Sequence, residues 1–169
     1  SIDLTMSEDD TLDFNLNGYD IDGDALLYTI TDYPHSGELN CMEGSCEYIP
    51  EENFIGLDFI QYSVTDLIES VSSTVIINVE PVNDAPIISF IPDQEMYEDD
   101  TLIIEIEAID IDNDELDYSN EEIENISIYI IDNELNIIPN QNWNGSEEII
   151  INVSDGEYIE SSEFTLIVY

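Results

Sequence analysis

Pro81-Val82-Asn83-Asp84-Ala85-Pro86 stands almost at the middle of the 169-residue sequence, and the halves on either side read as copies of one pattern. The two prolines restrict backbone freedom, so the hexapeptide reads as a short, stiff, ligand-bearing joint between two small domains. Working outward, Ser7-Glu8-Asp9-Asp10-Thr11-Leu12 returns as Tyr97-Glu98-Asp99-Asp100-Thr101-Leu102. Asp20-Ile21-Asp22-Gly23-Asp24-Ala25-Leu26 returns as Asp110-Ile111-Asp112-Asn113-Asp114-Glu115-Leu116, and Tyr28 matches Tyr118. Pro50, Asn53, Phe54 and Gly56 match Pro139, Asn142, Trp143 and Gly145, and Val64-Thr65-Asp66 matches Val153-Ser154-Asp155. The repeat is about ninety residues long and slips by a single position, a strong sign of duplication.

Between these marks the hydrophobic period is two, the signature of strands with one buried face. Leu12, Phe14 and Leu16 alternate with polar residues, as do Ile60, Tyr62 and Val64, and Val75, Ile77 and Val79. The second half offers Leu102, Ile104 and Ile106, then Ile149, Ile151 and Val153, then Phe164, Leu166 and Val168. Ile126 to Ile138 reads as a hairpin turning at Asp132-Asn133. Short strands with frequent turn signals point to an all-β sandwich, and no amphipathic helix is apparent. The expected domains are 1–80 and 87–169, with 81–86 as linker.

Asp and Glu total 42 while Lys and Arg are absent, a formal charge of −42. No basic groove can be built, which excludes nucleic-acid binding, and an anionic membrane surface would repel the chain. Isopeptide bonds through lysine are excluded too. Such acidity can signal disorder, but 43% of residues are hydrophobic and many alternate cleanly. A folded chain must offset its self-repulsion, and divalent cations are the obvious means. No run approaches the roughly 20 apolar residues of a membrane span, so no membrane insertion is expected. No leader is visible, and the chain reads as a mature fragment or a slice of something longer.

Cys41 and Cys46 flank Gly44, whose turn would set the cysteines on facing strands. A disulfide is expected there, implying an oxidising compartment; the alternative is two free thiols. Zinc is excluded because no second Cys or His pair exists.

Each half carries an acidic turn before its first long strand, an Asp-Ile-Asp-x-Asp turn, and an Asp after the strand ending in Val64 or Val153. A lone carboxylate in so acidic a chain reads as solvated. Three carboxylates crowded into five residues repel one another without a cation, and the crowding recurs, so Asp110 and Asp112 are expected to bind metal. Asp110, Asp112, Asp114 and Glu121 imitate EF-hand spacing, but Glu115 stands where that loop needs Gly, and strands flank it.

Together these marks resemble the bacterial cadherin-like tandem repeats, relatives of cadherin ectodomains, over essentially the whole chain. The resemblance rests on the Glu-Asp-Asp turns at Glu8 and Glu98, the Asp-Ile-Asp turns leading into Leu-x-Tyr, Asn53-Phe54-x-Gly56 with Asn142-Trp143-x-Gly145, and Val82-Asn83-Asp84-Ala85-Pro86. It implies Greek-key Ig/cadherin-like sandwiches joined end to end, with Ca²⁺ stiffening each junction. By motif, the junction here would use Glu8, Asn83, Asp84, Asp110, Asp112 and Asp155. Asp20, Asp22 and Asp66 would serve a preceding repeat, and Glu98 a following one. The family's Leu-Asp-Arg-Glu motif is absent for want of Arg, which implies one or two ions rather than three.

The expected function is a non-enzymatic, extracellular structural or adhesive module: a Ca²⁺-rigidified repeat of a cell-surface stalk, adhesin or filament. Its partners would be further copies of the repeat, with surface glycans or proteins. The alternative is a carbohydrate-binding accessory module of a secreted enzyme, with Trp143 as a stacking platform; its alignment with Phe54 favours packing instead. Asn125, Asn144 and Asn152 begin glycosylation sequons, with Asn152 facing outward. His35 reads as a turn residue.

Overall fold

The computed structural model describes residues 1–169 and contains strands and turns but no helix. It divides into two units, Ser1–Val82 and Asn83–Tyr169.

Unit 1 consists of β1 (Ile2–Ser7), β2 (Leu12–Asn15), β3 (Leu27–Asp32), β4 (Gly37–Met42), β5 (Ser45–Pro50), β6 (Gly56–Thr65) and β7 (Ser70–Glu80). One sheet has the order β1-β7-β6-β3 and the other β2-β5-β4, so the chain crosses between sheets repeatedly. β1 lies parallel to β7, pairing Ile2 with Val75 and Met6 with Val79. The period-two pattern is honoured: Ile60 and Tyr62 of β6, and Val75, Ile77 and Val79 of β7, are buried in one cluster with Phe14, Cys46 and Tyr48. Each fully buried aliphatic side chain contributes about 1.5–3 kcal/mol.

Glu43 and Gly44 turn β4 into β5 with φ of 52° and 87°, the paired left-handed geometry that suits a two-residue hairpin. The turn sets Cys41 opposite Cys46, and a disulfide joins them.

Unit 2 consists of β8 (Ile87–Ile88), β9 (Gln94–Met96), β10 (Leu102–Glu105), β11 (Ala108–Ile109), β12 (Asp117–Asn120), β13 (Ile126–Ile131), β14 (Glu134–Pro139), β15 (Gly145–Ser154) and β16 (Ile159–Val168). Its sheets are β12-β15-β16-β9 and β10-β14-β13, with a small β8-β11 ribbon. β13 and β14 form the hairpin read from the sequence, with Asp132 left-handed at φ 54°. Leu135, Ile137, Ile149, Ile151, Val153 and Leu166 are fully buried.

The repeat extends to single dihedral angles. Asn53 and Asn142 both adopt φ 58°, a conformation that Asn tolerates better than most residues. In each case the next amide closes a tight turn, Phe54 onto Glu51 at 3.1 Å and Trp143 onto Asn140 at 3.0 Å. Both aromatic rings pack against their unit's core.

Candidate metal centre

In unit 2 the turn after β11 folds back on its first aspartate. Asp110 Oδ1 accepts the amides of Asp112 at 2.9 Å and Asp114 at 3.1 Å, an Asx-turn arrangement. Asn113 takes the left-handed place, φ 64°, that Gly23 takes in unit 1 at φ 80°. After β15, Asp155 Oδ1 accepts the amides of Glu157 at 2.7 Å and Tyr158 at 2.6 Å. Asn83 and Asp84 then tie the two turns to the start of the unit. The Asn83 side-chain amide donates to Asp155 Oδ2 at 2.8 Å, and the Asp84 backbone amide donates to Asp112 Oδ2 at 2.8 Å. Desolvation pushes the Asp155 carboxyl up, but hydrogen bonds from the Tyr158 amide, the Asn83 side chain and the Glu157 amide outweigh it and hold the group below the usual range.

The same two turns recur in unit 1. Asp20 Oδ1 accepts the amides of Asp22 at 2.8 Å and Asp24 at 3.0 Å. Asp66 Oδ1 accepts Glu69 at 2.6 Å and Ile68 at 2.8 Å, and these bonds lower its carboxyl. Asp20 and Asp66 line one cavity, while Asp22 is exposed. Glu8 is buried, 5% exposed, and its Oε1 accepts the Val82 amide at 2.8 Å. Glu98, its counterpart, is exposed.

Asp110, Asp112, Asp155, Asn83 and Asp84 are thus linked at one end of unit 2, and Asp20 and Asp66 share the equivalent end of unit 1. No three Asp, Glu, His or Cys side chains form a ready-made metal cage. The crowded Asp-x-Asp-x-Asp turns have a local reason to exist, because the first aspartate satisfies two backbone amides. One atom is left over: Asp110 Oδ2 is buried with no hydrogen-bond partner. A buried carboxylate oxygen without a donor is costly. Oxygen-only donors of this kind fit a hard cation such as Ca²⁺.

Asn144 is exposed, Asn125 donates to Glu147 Oε1 at 3.3 Å, and Asn152 Oδ1 accepts the Ser161 hydroxyl at 2.7 Å. His35 lies in a bend.

The sequence reading missed Asp58. It is 2% exposed and accepts the amides of His35 and Ser36 at 2.9 Å, its neighbour Phe59 at 2.8 Å and the Tyr48 hydroxyl at 3.0 Å. Burial pushes its carboxyl up, but these four donors together hold it below the usual range. Burial first, and then the Asp58 charge, push the Tyr48 hydroxyl well above its ordinary value. The signal was present: Asp58 shares the inward register of Ile60 and Tyr62.

The family described as bacterial Ig domain matches residues 1–78 and 83–167. Human protocadherin-24 EC1-2 is similar with a TM-score of 0.66 at 15% identity, over 99% of this chain and 94% of that one. Drosophila N-cadherin EC1-4 follows with a TM-score of 0.64 at 16% identity, over 99% of this chain and 47% of that one. Likeness at such identity shows the fold. The endo-fucoidan hydrolase MfFcnA4, from glycoside hydrolase family 107, matches over 99% of this chain and 28% of its own at 18% identity; its TM-score of 0.42 carries no argument. The chain spans less than half of the hydrolase and of the N-cadherin fragment. No curated protein matches significantly.

Proposed function

As the chain belongs to the bacterial Ig domain family, we propose that it is a non-enzymatic, extracellular structural and adhesive module whose repeats bind Ca²⁺. The supporting observation is Asp110 Oδ2, buried without a donor beside a turn that the Asp84 amide ties to the start of the unit. Ca²⁺ would supply there the positive charge that a chain of −42 lacks altogether. Asp110, Asp112, Asp155, Asn83 and Asp84 are the proposed oxygen donors in unit 2, and Asp20, Asp22 and Asp66 those in unit 1. Glu8 and Glu98 are proposed as further donors.

The Cys41–Cys46 disulfide supports an oxidising, extracellular setting. No helix is long and apolar enough to cross a membrane. A stalk, adhesin or filament built from further copies of the repeat is the proposed context, with surface glycans or proteins as contacts. The carbohydrate-module reading loses ground because Trp143 and Phe54 pack against their cores.

Calorimetric titration with Ca²⁺, and terbium luminescence as a second readout, test the reading. D110N should weaken binding by about tenfold or more, the equivalent of about 1.4 kcal/mol. Equal affinity in D110N and the parent, or no binding in either, would overturn it.

A further inference from the structure

With one exception, every edge strand of the larger sheets carries a carboxylate. In unit 1 the edges β1, β3, β2 and β4 contain Asp3, Asp32, Asp13 and Glu38. In unit 2 the edges β12, β9 and β10 contain Asp117, Glu95 and Glu105. Charge on an exposed edge keeps other strands from adding to it. The remaining edge, β13, reads Ile126-Ser127-Ile128-Tyr129-Ile130-Ile131, with no charge, no proline and no bulge. It pairs with β14 on one side and with no strand on the other. A bridge from Ile123 occupies Ile126, which leaves 127–131 open. The turn at Asp132-Asn133 has two residues, so Ile131 and Glu134 exchange both main-chain bonds, and every second pair along the ladder does the same. Tyr129 and Ser127 therefore bond to β14, while the amides and carbonyls of Ile128 and Ile130 point to the open side. The Ile128 and Ile130 side chains pack against the core, whereas Tyr129 and Ile131 are 57% and 64% exposed.

We propose that β13 is a lateral self-association surface, where a second copy of this chain pairs its own β13 antiparallel. The open groups set the register. Ile128 of each copy faces Ile130 of the other and exchanges main-chain bonds with it, and the Tyr129 side chains of the two copies meet on the two-fold axis. Inward side chains stay on the core face in this register; a slip of one residue would turn them to solvent. Charge identifies the occupant. A strand bearing lysine or arginine finds its complement at the acidic edges, whereas an uncharged edge suits an uncharged strand. Two copies of charge −42 repel, and like charges directly opposite destabilise a ladder, so copies can join strands only where no carboxylate enters the pairing. The contact is isologous and uses up the open edge. The joined sheet then ends in β10 on both sides, with Glu105 in each, and association stops at the dimer. The contact is side by side and uses no metal ion, so it goes beyond the proposed function and a failed Ca²⁺ titration would leave it standing.

Sedimentation equilibrium of the full chain tests this, in about 0.5 M NaCl to shorten the reach of the repulsion. The parent should dimerise with a Kd below about 1 mM, and exchange of the Ile128 and Ile130 amides, read by NMR, should slow as concentration rises. Y129D sets like charges across the axis and should weaken the dimer by about tenfold or more. I103D adds the same charge at an exposed position on another strand and should not. An equimolar mixture of Y129D and Y129K should dimerise again. Tyr129 is exposed, so its variants should keep the melting transition of unit 2, and the exchange readout needs no variant at all. A parent that is monomeric at about 1 mM would overturn the inference, and would leave the edge to a strand from another protein. So would equal association in Y129D, no recovery in the mixture, protection confined to other amides, or growth beyond the dimer.

Discussion

The backbone amide of Asp84 donates to Asp112 Oδ2 at 2.8 Å, so the second turn aspartate of unit 2 holds the segment that opens the unit. D112N keeps an oxygen for that amide and removes the charge; D112A removes both. The bond is exposed, and exposed polar contacts are worth little. Metal-free D112N should therefore unfold within about 0.5 kcal/mol of the parent. Its Ca²⁺ affinity should fall by about tenfold, and that of D112A by more. Chelator-treated melts and Ca²⁺ titrations of both variants check this.

Asp58 is a structural acid that binds no proposed ligand. D58A would strand the amides of His35 and Ser36 and the Tyr48 hydroxyl. Only the Tyr48 bond is buried, the two amide bonds being part-buried. A buried donor left unpaired costs about 1–3 kcal/mol, so unit 1 should lose about 1–3 kcal/mol in denaturant unfolding. Because the folded carboxyl is lowered, its stabilising effect is present above the unfolded pKa of about 3.9 and is lost as pH falls below that. Acid unfolding of unit 1 should be blunted in D58N, and a D58N acid transition matching the parent's would contradict the assignment.

The Cys41–Cys46 bridge closes a short loop. The chain-entropy relation gives about 2 kcal/mol for a loop of this size. Reduction, or the paired C41S and C46S substitutions, should lower the melting transition of unit 1 and leave that of unit 2 in place. Two resolved calorimetric transitions measure this directly.

Trp143 is a packing residue. A Cβ on Gly145 would lie 2.8 Å from Trp143 Cζ2, so G145A should displace the ring and W143A should leave a void. The ring is half-buried, and W143A should cost unit 2 about 1–3 kcal/mol, below the range for fully buried Trp. Glycan-array binding should not change in W143A; selective loss of sugar binding with unchanged stability would restore the carbohydrate-module reading.

The strands were legible because alternation in a half-buried sheet is written residue by residue, as in Ile60-Tyr62-Val64. The Glu43-Gly44 and Asp132-Asn133 turns were legible from turn chemistry. The candidate site was legible as positions: Asp110, Asp155 and Asn83 do lie in one linked cluster. What holds them was not legible. Crowded aspartates read as a demand for cations, whereas the fold first answers them with backbone amides inside the turn. Asp58 was passed over because a carboxylate at an inward position is stable only with donors from the distant residues His35, Ser36 and Tyr48. The bond from Val82 to Glu8 spans most of unit 1 and has no local pattern.

The melting temperature in millimolar Ca²⁺ against chelator, at ionic strength matched with sodium, tests the central claim most directly. Ligand that binds the folded state stabilises it by mass action, about 2.7 kcal/mol at a hundredfold excess over Kd, whereas screening of the −42 charge is common to both buffers. The account predicts a large rise in melting temperature with Ca²⁺, abolished by the paired D110N and D20N substitutions. Coincident curves in the two buffers, with no metal retained by the purified protein, would contradict it.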